Sequence, residues 1–72
     1  MNKKPFTIND FKAYVLQLMS AHGRRDSVAL ENLDAEIENL YKETLMPRSM
    51  WQTLHSMQTL FMDDWRKNWK NG

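Results

Sequence analysis

The sequence contains no cysteine, so neither a disulfide bond nor a thiolate metal site can hold this short chain together. Its longest apolar runs are four residues, far short of the roughly 20 that a membrane-spanning helix needs. A signal peptide is not indicated either, because Pro5 and polar residues follow Lys3 and Lys4 in place of an apolar core. These absences predict a cytoplasmic protein that is stabilised by packing alone and does not enter a membrane.

Glycine and proline are also scarce, with two of each in 72 residues. Each lies where a helix is expected to begin or end, and no stretch shows the alternating pattern of a strand. A chain of this length buries only roughly 60% of its unfolded surface, which leaves room for one core. The sequence therefore predicts a single all-α domain over residues 1–72.

The first predicted helix covers about residues 8–22. Thr7 and Asp10 have the spacing of a capping box at its start. Gly23 is expected to supply the left-handed residue that ends it. Apolar side chains recur at helical spacing along its length: Phe11, Val15 and Leu18, flanked by Ile8, Tyr14 and Met19.

The second predicted helix covers about residues 27–45, with Asp26 or Ser27 as its N-cap. Pro47 disfavours helical geometry in the residue before it and so ends the helix. The apolar positions alternate three and four apart and form a narrow stripe: Leu30, Leu33, Ile37 and Leu40. The stripe spans under two heptads, which favours a bundle core over a coiled-coil seam.

The third predicted helix covers about residues 49–70, where Ser49 and Gln52 form a second capping box. Pro47 could instead be its first helical residue. Five apolar side chains follow one face and are expected to point into the core: Met50, Leu54, Met57, Phe61 and Trp65. Because the connections are short, the expected architecture is a three-helix up-down-up bundle.

The net charge of +1 conceals an uneven distribution along the chain. Residues 1–26 carry +3, residues 27–45 carry −4 and residues 46–72 carry +2. An acidic helix between two basic segments favours their packing together and repels nucleic acid where it is exposed.

Residues with catalytic potential do not form a recognisable arrangement in the sequence. His22 and His55 are the only histidines, and neither has the neighbours of a metal-binding motif. Asp63 and Asp64 are adjacent, so on a helix their side chains point about 100° apart. The sequence therefore predicts a protein that is not an enzyme and that holds no metal, cofactor or small-molecule substrate.

The third helix carries more Trp and Met than a core of this size needs. Trp51, Met62 and Trp69 lie on one side of its main apolar face, with Arg66 nearby. Trp is enriched at interface hot spots, and Met adapts to irregular partner surfaces. One interpretation is that these four residues bind a protein partner or a second copy, with Trp51 and Trp69 partly accessible and Trp65 buried. The alternative is that they fill the bundle core.

The basic ends suggest a competing function. A small DNA-binding regulator could contact phosphates through Lys3, Lys4, Lys12, Arg24 and Arg25. The third helix mixes Asp63 and Asp64 with its basic residues, which is unusual for a helix that reads bases. We therefore favour a non-enzymatic regulator, adaptor or inhibitor that binds protein, and keep DNA binding as the alternative.

Two stretches resemble small helical nucleoid-protein modulators of the Hha type. They are Lys4-Pro5-Phe6-Thr7 with Asp10-Phe11, and Leu40-Tyr41 through Ser49-Met50-Trp51. The spacing between the stretches departs from that family, and the end of the third helix has no counterpart there. The resemblance implies a regulatory protein as partner and assigns no functional residue to this chain.

Overall fold

The computed structural model describes residues 3–69, without the side chain of Trp69. Its three α-helices are α1 (Ile8–Gly23), α2 (Ser27–Glu43) and α3 (Arg48–Asp64), and a π-helical turn (Trp65–Trp69) continues α3. The predicted three-helix bundle is confirmed. Short connections reverse the chain twice, so α1 and α3 run in the same direction. The molecule is elongated, with extents of 46 × 18 × 18 Å.

The start of α1 has the predicted capping box. The backbone N–H of Asp10 donates to Thr7 Oγ1 at 3.2 Å, and Asp10 Oδ2 accepts from the backbone N–H of Thr7 at 3.0 Å. These two bonds satisfy donors that a helix leaves free in its first turn. Asp26 caps α2 in a similar way, because its Oδ1 accepts from the backbone N–H of Ala29 at 3.0 Å.

The prediction for Gly23 is wrong. Gly23 is the last residue of α1 and has no positive φ, whereas Arg25 has a φ of 55°. Helical geometry extends through Arg24, so the left-handed position falls on the next residue. There the backbone N–H of Asp26 donates to the carbonyl of Ala21 at 2.9 Å and closes the end of the helix.

The observed start of α3 lies one residue before the predicted one, but the predicted capping box is wrong. The helix begins at Arg48 with Pro47 as its N-cap, and no side chain caps it. Ser49 therefore lies inside the first turn and cannot form a capping box with Gln52. Pro47, with a φ of −60° and a ψ of 143°, is already extended, so the helix begins directly after it.

The core takes one fully buried leucine from each helix: Leu18, Leu30 and Leu54. The stripe of α2 faces this core as predicted, with Leu33 and Ile37 buried and Leu40 packed against them. At one end of the bundle the extended N-terminal segment covers the core through Phe6, next to the buried Met46.

The prediction that Trp65 is buried is wrong, since its side chain is only half-buried. The buried residues of α3 are Leu54 and Gln58, which turns the centre of the buried face about 40° from the predicted one. Phe61 still stacks on His22, in the last turn of α1. Trp65 lies one turn beyond Phe61, past the end of α1, so that helix no longer covers it.

Candidate functional site

His22 joins the ends of α1 and α3. Its Nε2 lies 2.9 Å from Asp64 Oδ2, and its ring stacks on Phe61 with centroids 4.2 Å apart. Asp63 Oδ2 forms an ion pair with Lys67 Nζ, at 3.1 Å. Within the described part of the chain, no group of three or more His, Cys, Asp or Glu side chains could hold a metal ion.

Trp51, one of the predicted partner-binding residues, packs between two other rings. Its ring centroid lies 4.9 Å from that of Tyr41 on α2 and 4.9 Å from that of His55 on α3. The side chain is half-buried against the core, and its indole Nε1 is buried without an acceptor. Trp51 therefore fixes α3 against α2, and only part of its surface faces solvent.

Met62 and Arg66 lie together beside α2, where they line a shallow groove of about 320 Å³. We call this the α2–α3 groove; it is lined by Asp34, His55, Gln58, Thr59, Leu60, Met62, Asp63 and Arg66. Met62 packs against the core and Arg66 is exposed. The structure thus brings two predicted site residues together with His55, on which Trp51 stacks. The side chain of Trp69, the fourth, lies outside the described residues.

Gln58 is the residue of this groove that sequence reasoning missed. It is only 3% exposed, and its amide Nε2 donates to the backbone carbonyl of Leu30 on α2. Its Oε1 is buried and accepts no hydrogen bond from any residue that the structure describes. Gln58 lies four residues from both Leu54 and Met62, and this spacing was the available signal for its burial.

Exposed apolar side chains also lie on α3 and on α1, outside the core. Leu60 of α3 is 67% exposed, and on α1 Leu16 is 65% and Met19 is 54% exposed. Met19 precedes His22 by one turn and Leu60 precedes Asp64 by one turn. Because α1 and α3 run in the same direction and His22 contacts Asp64, Met19 and Leu60 lie at the same level. We call these three residues the α1–α3 apolar surface.

The apolar residues on the outer side of α1 are visible in the sequence, but the direction in which two of their side chains point was predicted wrongly. Ile8 and Met19 were expected to flank the core, and both are exposed. Leu18, Val15 and Phe11 account for the packing of α1 against its neighbours, so residues about 100° away from Leu18 face outward.

The five basic residues of the DNA-binding alternative are not brought together. Lys3 and Lys4 lie before α1, and Arg24 and Arg25 follow its last residue, Gly23. A helix of 16 residues is about 24 Å long, so the two pairs lie at opposite ends of it. Lys12 lies between them on the exposed side of α1.

No helix among the described residues has both the length and the apolar character needed to cross a bilayer. Comparison of this chain with family models, with curated proteins and with solved structures finds no match.

Proposed function

We propose that this chain is a non-enzymatic protein-interaction module, a small regulator, adaptor or inhibitor, that binds a protein partner or a second copy through α3. The observation that carries the proposal is Leu60, whose side chain is two-thirds exposed, at the level along the bundle where Met19 of α1 is also exposed. Contiguous apolar side chains on the surface of a soluble domain mark sites of protein contact.

These exposed side chains contribute little to the stability of the isolated domain, but they would contribute to binding when a partner covers them. Moving one leucine or methionine side chain from water into a contact contributes about 1.5–3 kcal/mol. Leu60 is therefore the centre of the proposed contact, and Met62 and Arg66 extend it on the side of α2. Trp69 belongs to the same proposal by its position near the end of α3.

The sequence predicted Trp51 as a partner-binding residue, whereas the proposal gives it a structural role. Its packing between Tyr41 and His55 supports it as the residue that holds α3 in place beneath the contact. Replacement of Trp51 would therefore unfold or loosen the domain, which makes Leu60 the better residue for a test.

The test compares Leu60→Gln with Val28→Gln. Val28 is 64% exposed in the first turn of α2, so both variants remove one exposed apolar side chain from a helix. We expect Leu60→Gln to lose the captured partner from nuclease-treated native extract, or to abolish concentration-dependent sedimentation, while Val28→Gln behaves like the parent chain. Circular dichroism should show the same helicity for all three chains.

Equal behaviour of the two variants would argue against α3 as the contact surface. A chain that sediments as a monomer at all concentrations and captures no protein would argue against the interaction function itself.

A further inference from the structure

The N-terminal segment forms one wall of a groove at the end of the bundle. Lys4 and Thr44 form a parallel β-bridge, and the backbone N–H of Leu45 donates to the carbonyl of Lys4 at 2.8 Å. Phe6 and Met46, which lie beyond this bridge, are both buried. The N-terminal segment is therefore held in place by backbone hydrogen bonding and by the burial of Phe6 in the core. The groove is thus already formed in the free protein.

The groove has a volume of about 570 Å³, which is the size of a site that accepts a short peptide stretch. We call it the basic groove; it is lined by Lys3, Tyr41, Lys42, Thr44, Leu45 and Met46. None of these lining residues is acidic.

Further positively charged residues lie near the basic groove. Lys4 adjoins the lining residue Lys3, and Arg48 follows the lining residue Met46 by two positions. Among the residues that the structure describes, Lys3, Lys42 and Arg48 form no ion pair. The first turn of α3 contributes no acidic residue. The acidic residues of α2 nearest to Lys42 in sequence are Glu43 and, one turn earlier, Glu38. Two lysines thus line the groove, and two further cations lie within two residues of its lining.

Leu45 distinguishes this groove from a plain basic patch. Its side chain is 62% exposed, although it lies directly between Thr44 and Met46, which are both buried. Together with Tyr41 it gives the groove an apolar wall between the two lysines. A phosphate backbone makes polar contacts and does not bind to apolar surface, whereas a peptide can place an apolar side chain against Leu45.

We propose that the basic groove binds an acidic segment of a partner protein, in which carboxylates pair with Lys3 and Lys42 while a neighbouring apolar side chain covers Leu45. The charge complementarity selects an acidic segment, and the exposed leucine selects a peptide over a nucleic acid. This site shares no residue with the α1–α3 apolar surface, so it is independent of the function proposed for that surface.

The probe is the peptide acetyl-Gly-Glu-Leu-Glu-Leu-Gly-amide, titrated into the isotopically labelled full chain while backbone amide resonances are recorded. We expect the resonances of residues 44–46 to shift. Two matched peptides separate the contributions: one with both Glu replaced by Gln, and one with both Leu replaced by Ser. Each should bind more weakly than the parent peptide.

The variants test the lysines and the leucine separately. Lys3→Glu combined with Lys42→Glu should weaken peptide binding by about tenfold or more, which corresponds to about 1.4 kcal/mol. Lys12→Glu makes the charge change of one of these two substitutions on the exposed side of α1, and it serves as the control for each single lysine variant. Leu45→Gln should weaken binding, whereas Val28→Gln and Leu60→Gln should leave it unchanged.

The proposal is overturned if the parent peptide shifts no resonance of residues 44–46, or if Lys12→Glu weakens binding as much as either single lysine variant. It is also overturned if Leu45→Gln has no effect, because binding then depends on charge alone. A single-stranded oligonucleotide that binds the groove more tightly than the peptide would assign the site to nucleic acid instead. Failure of the Leu60→Gln test with intact peptide binding would remove only the function proposed for α3.

Discussion

Gln58 is the residue whose burial demands the most explanation, because a buried polar atom normally has a hydrogen-bond partner. Its amide nitrogen is bound to Leu30 of α2, while its oxygen has no donor. This hydrogen bond fixes the position of α3 along α2, as a polar side chain in a helical core can do. The residue type alone classes Gln58 as polar, so the signal for its burial was its spacing of four residues from Leu54 and from Met62.

Substitutions of Gln58 should therefore differ sharply in their effect on stability. Gln58→Glu places a carboxylate in the core and should cost about 2 kcal/mol or more of unfolding free energy at neutral pH. Gln58→Met loses the bond to Leu30 but also removes the unsatisfied oxygen, so its cost should stay within about 1 kcal/mol. Chemical denaturation measures both, with Gln52→Glu on the exposed side of α3 as the control.

The pH dependence gives a second measure of the same burial. Burial raises the pKa of the new carboxyl in Gln58→Glu. The variant is therefore least stable at a pH above that raised pKa, where the buried carboxyl is ionised. The loss should shrink as the pH falls from the raised pKa of the folded chain to the ordinary Glu value of about 4.3. Below that value it should stay constant, because folded and unfolded chains both hold the proton. A cost that does not change with pH would mean that the side chain reaches solvent.

Tyr14 provides a prediction about ionisation on α1. Burial, together with the hydrogen bond from its hydroxyl to Glu36 Oε1 at 2.9 Å and the charge of Glu36, raises its pKa to about 12. The folded state thus holds this proton more tightly than the unfolded state, so the associated stability is present below about pH 10 and is lost as the pH rises through 12.

The measurement is an ultraviolet titration of phenolate in Tyr41→Phe, in which Tyr14 is the remaining tyrosine. In that background Glu36→Gln should lower the pKa of Tyr14 without returning it to about 10, because burial is the largest cause of the shift. An unchanged pKa in Glu36→Gln would contradict the contact between the two helices.

At the scale of elements, the sequence predicted best where the physical cause is local. The capping box of Thr7 and the stripe of α2 depend on residues three and four apart, and both appear in the structure. The end of α1 and the burial of Trp65 were predicted wrongly for a common reason. Both depend on where α1 stops relative to its neighbours, and the sequence of one helix does not contain that information.

The connection between α1 and α2 offers a paired test of the corrected helix end. Gly23 has helical geometry and open space where a Cβ would lie, so Gly23→Ala should stabilise the protein by about 0.5–1 kcal/mol. Arg25 has a φ of 55°, which glycine adopts more easily, so Arg25→Gly should also stabilise it, by up to about 1 kcal/mol.

Thermal unfolding of the two single variants and of the double variant measures these effects. If Gly23 had the left-handed conformation that the sequence suggested, Gly23→Ala would instead lower the melting temperature. The two substitutions affect different backbone positions, so the double variant should be more stable than either single one.

At the scale of the whole molecule, the fold redistributes charges that look grouped in the sequence. Arg24 and Arg25 lie at the far end of α1 from Lys3 and Lys4, and Arg24 is 3.9 Å from Asp26. The sequence shows how many basic residues there are, but which ones share a surface depends on helix length and direction.

The DNA-binding alternative therefore has a specific expected outcome. Any binding at low salt should weaken steeply as salt rises, because it would depend on released counterions. Arg24→Ala combined with Arg25→Ala should change the affinity for a DNA duplex little if phosphate contacts come from the other end of the bundle. A mobility-shift titration at two salt concentrations measures both effects, and a large loss in this variant would restore the alternative.

The elongated shape also has a hydrodynamic consequence. A body of 46 × 18 × 18 Å has more friction in solution than a sphere of the same mass. The monomer should therefore elute early from a size-exclusion column, near the position of a heavier globular standard. An elongated monomer and a compact dimer would therefore elute at similar volumes. The mass must come from sedimentation equilibrium or light scattering, and rotational diffusion should be slower about the short axes than about the long one.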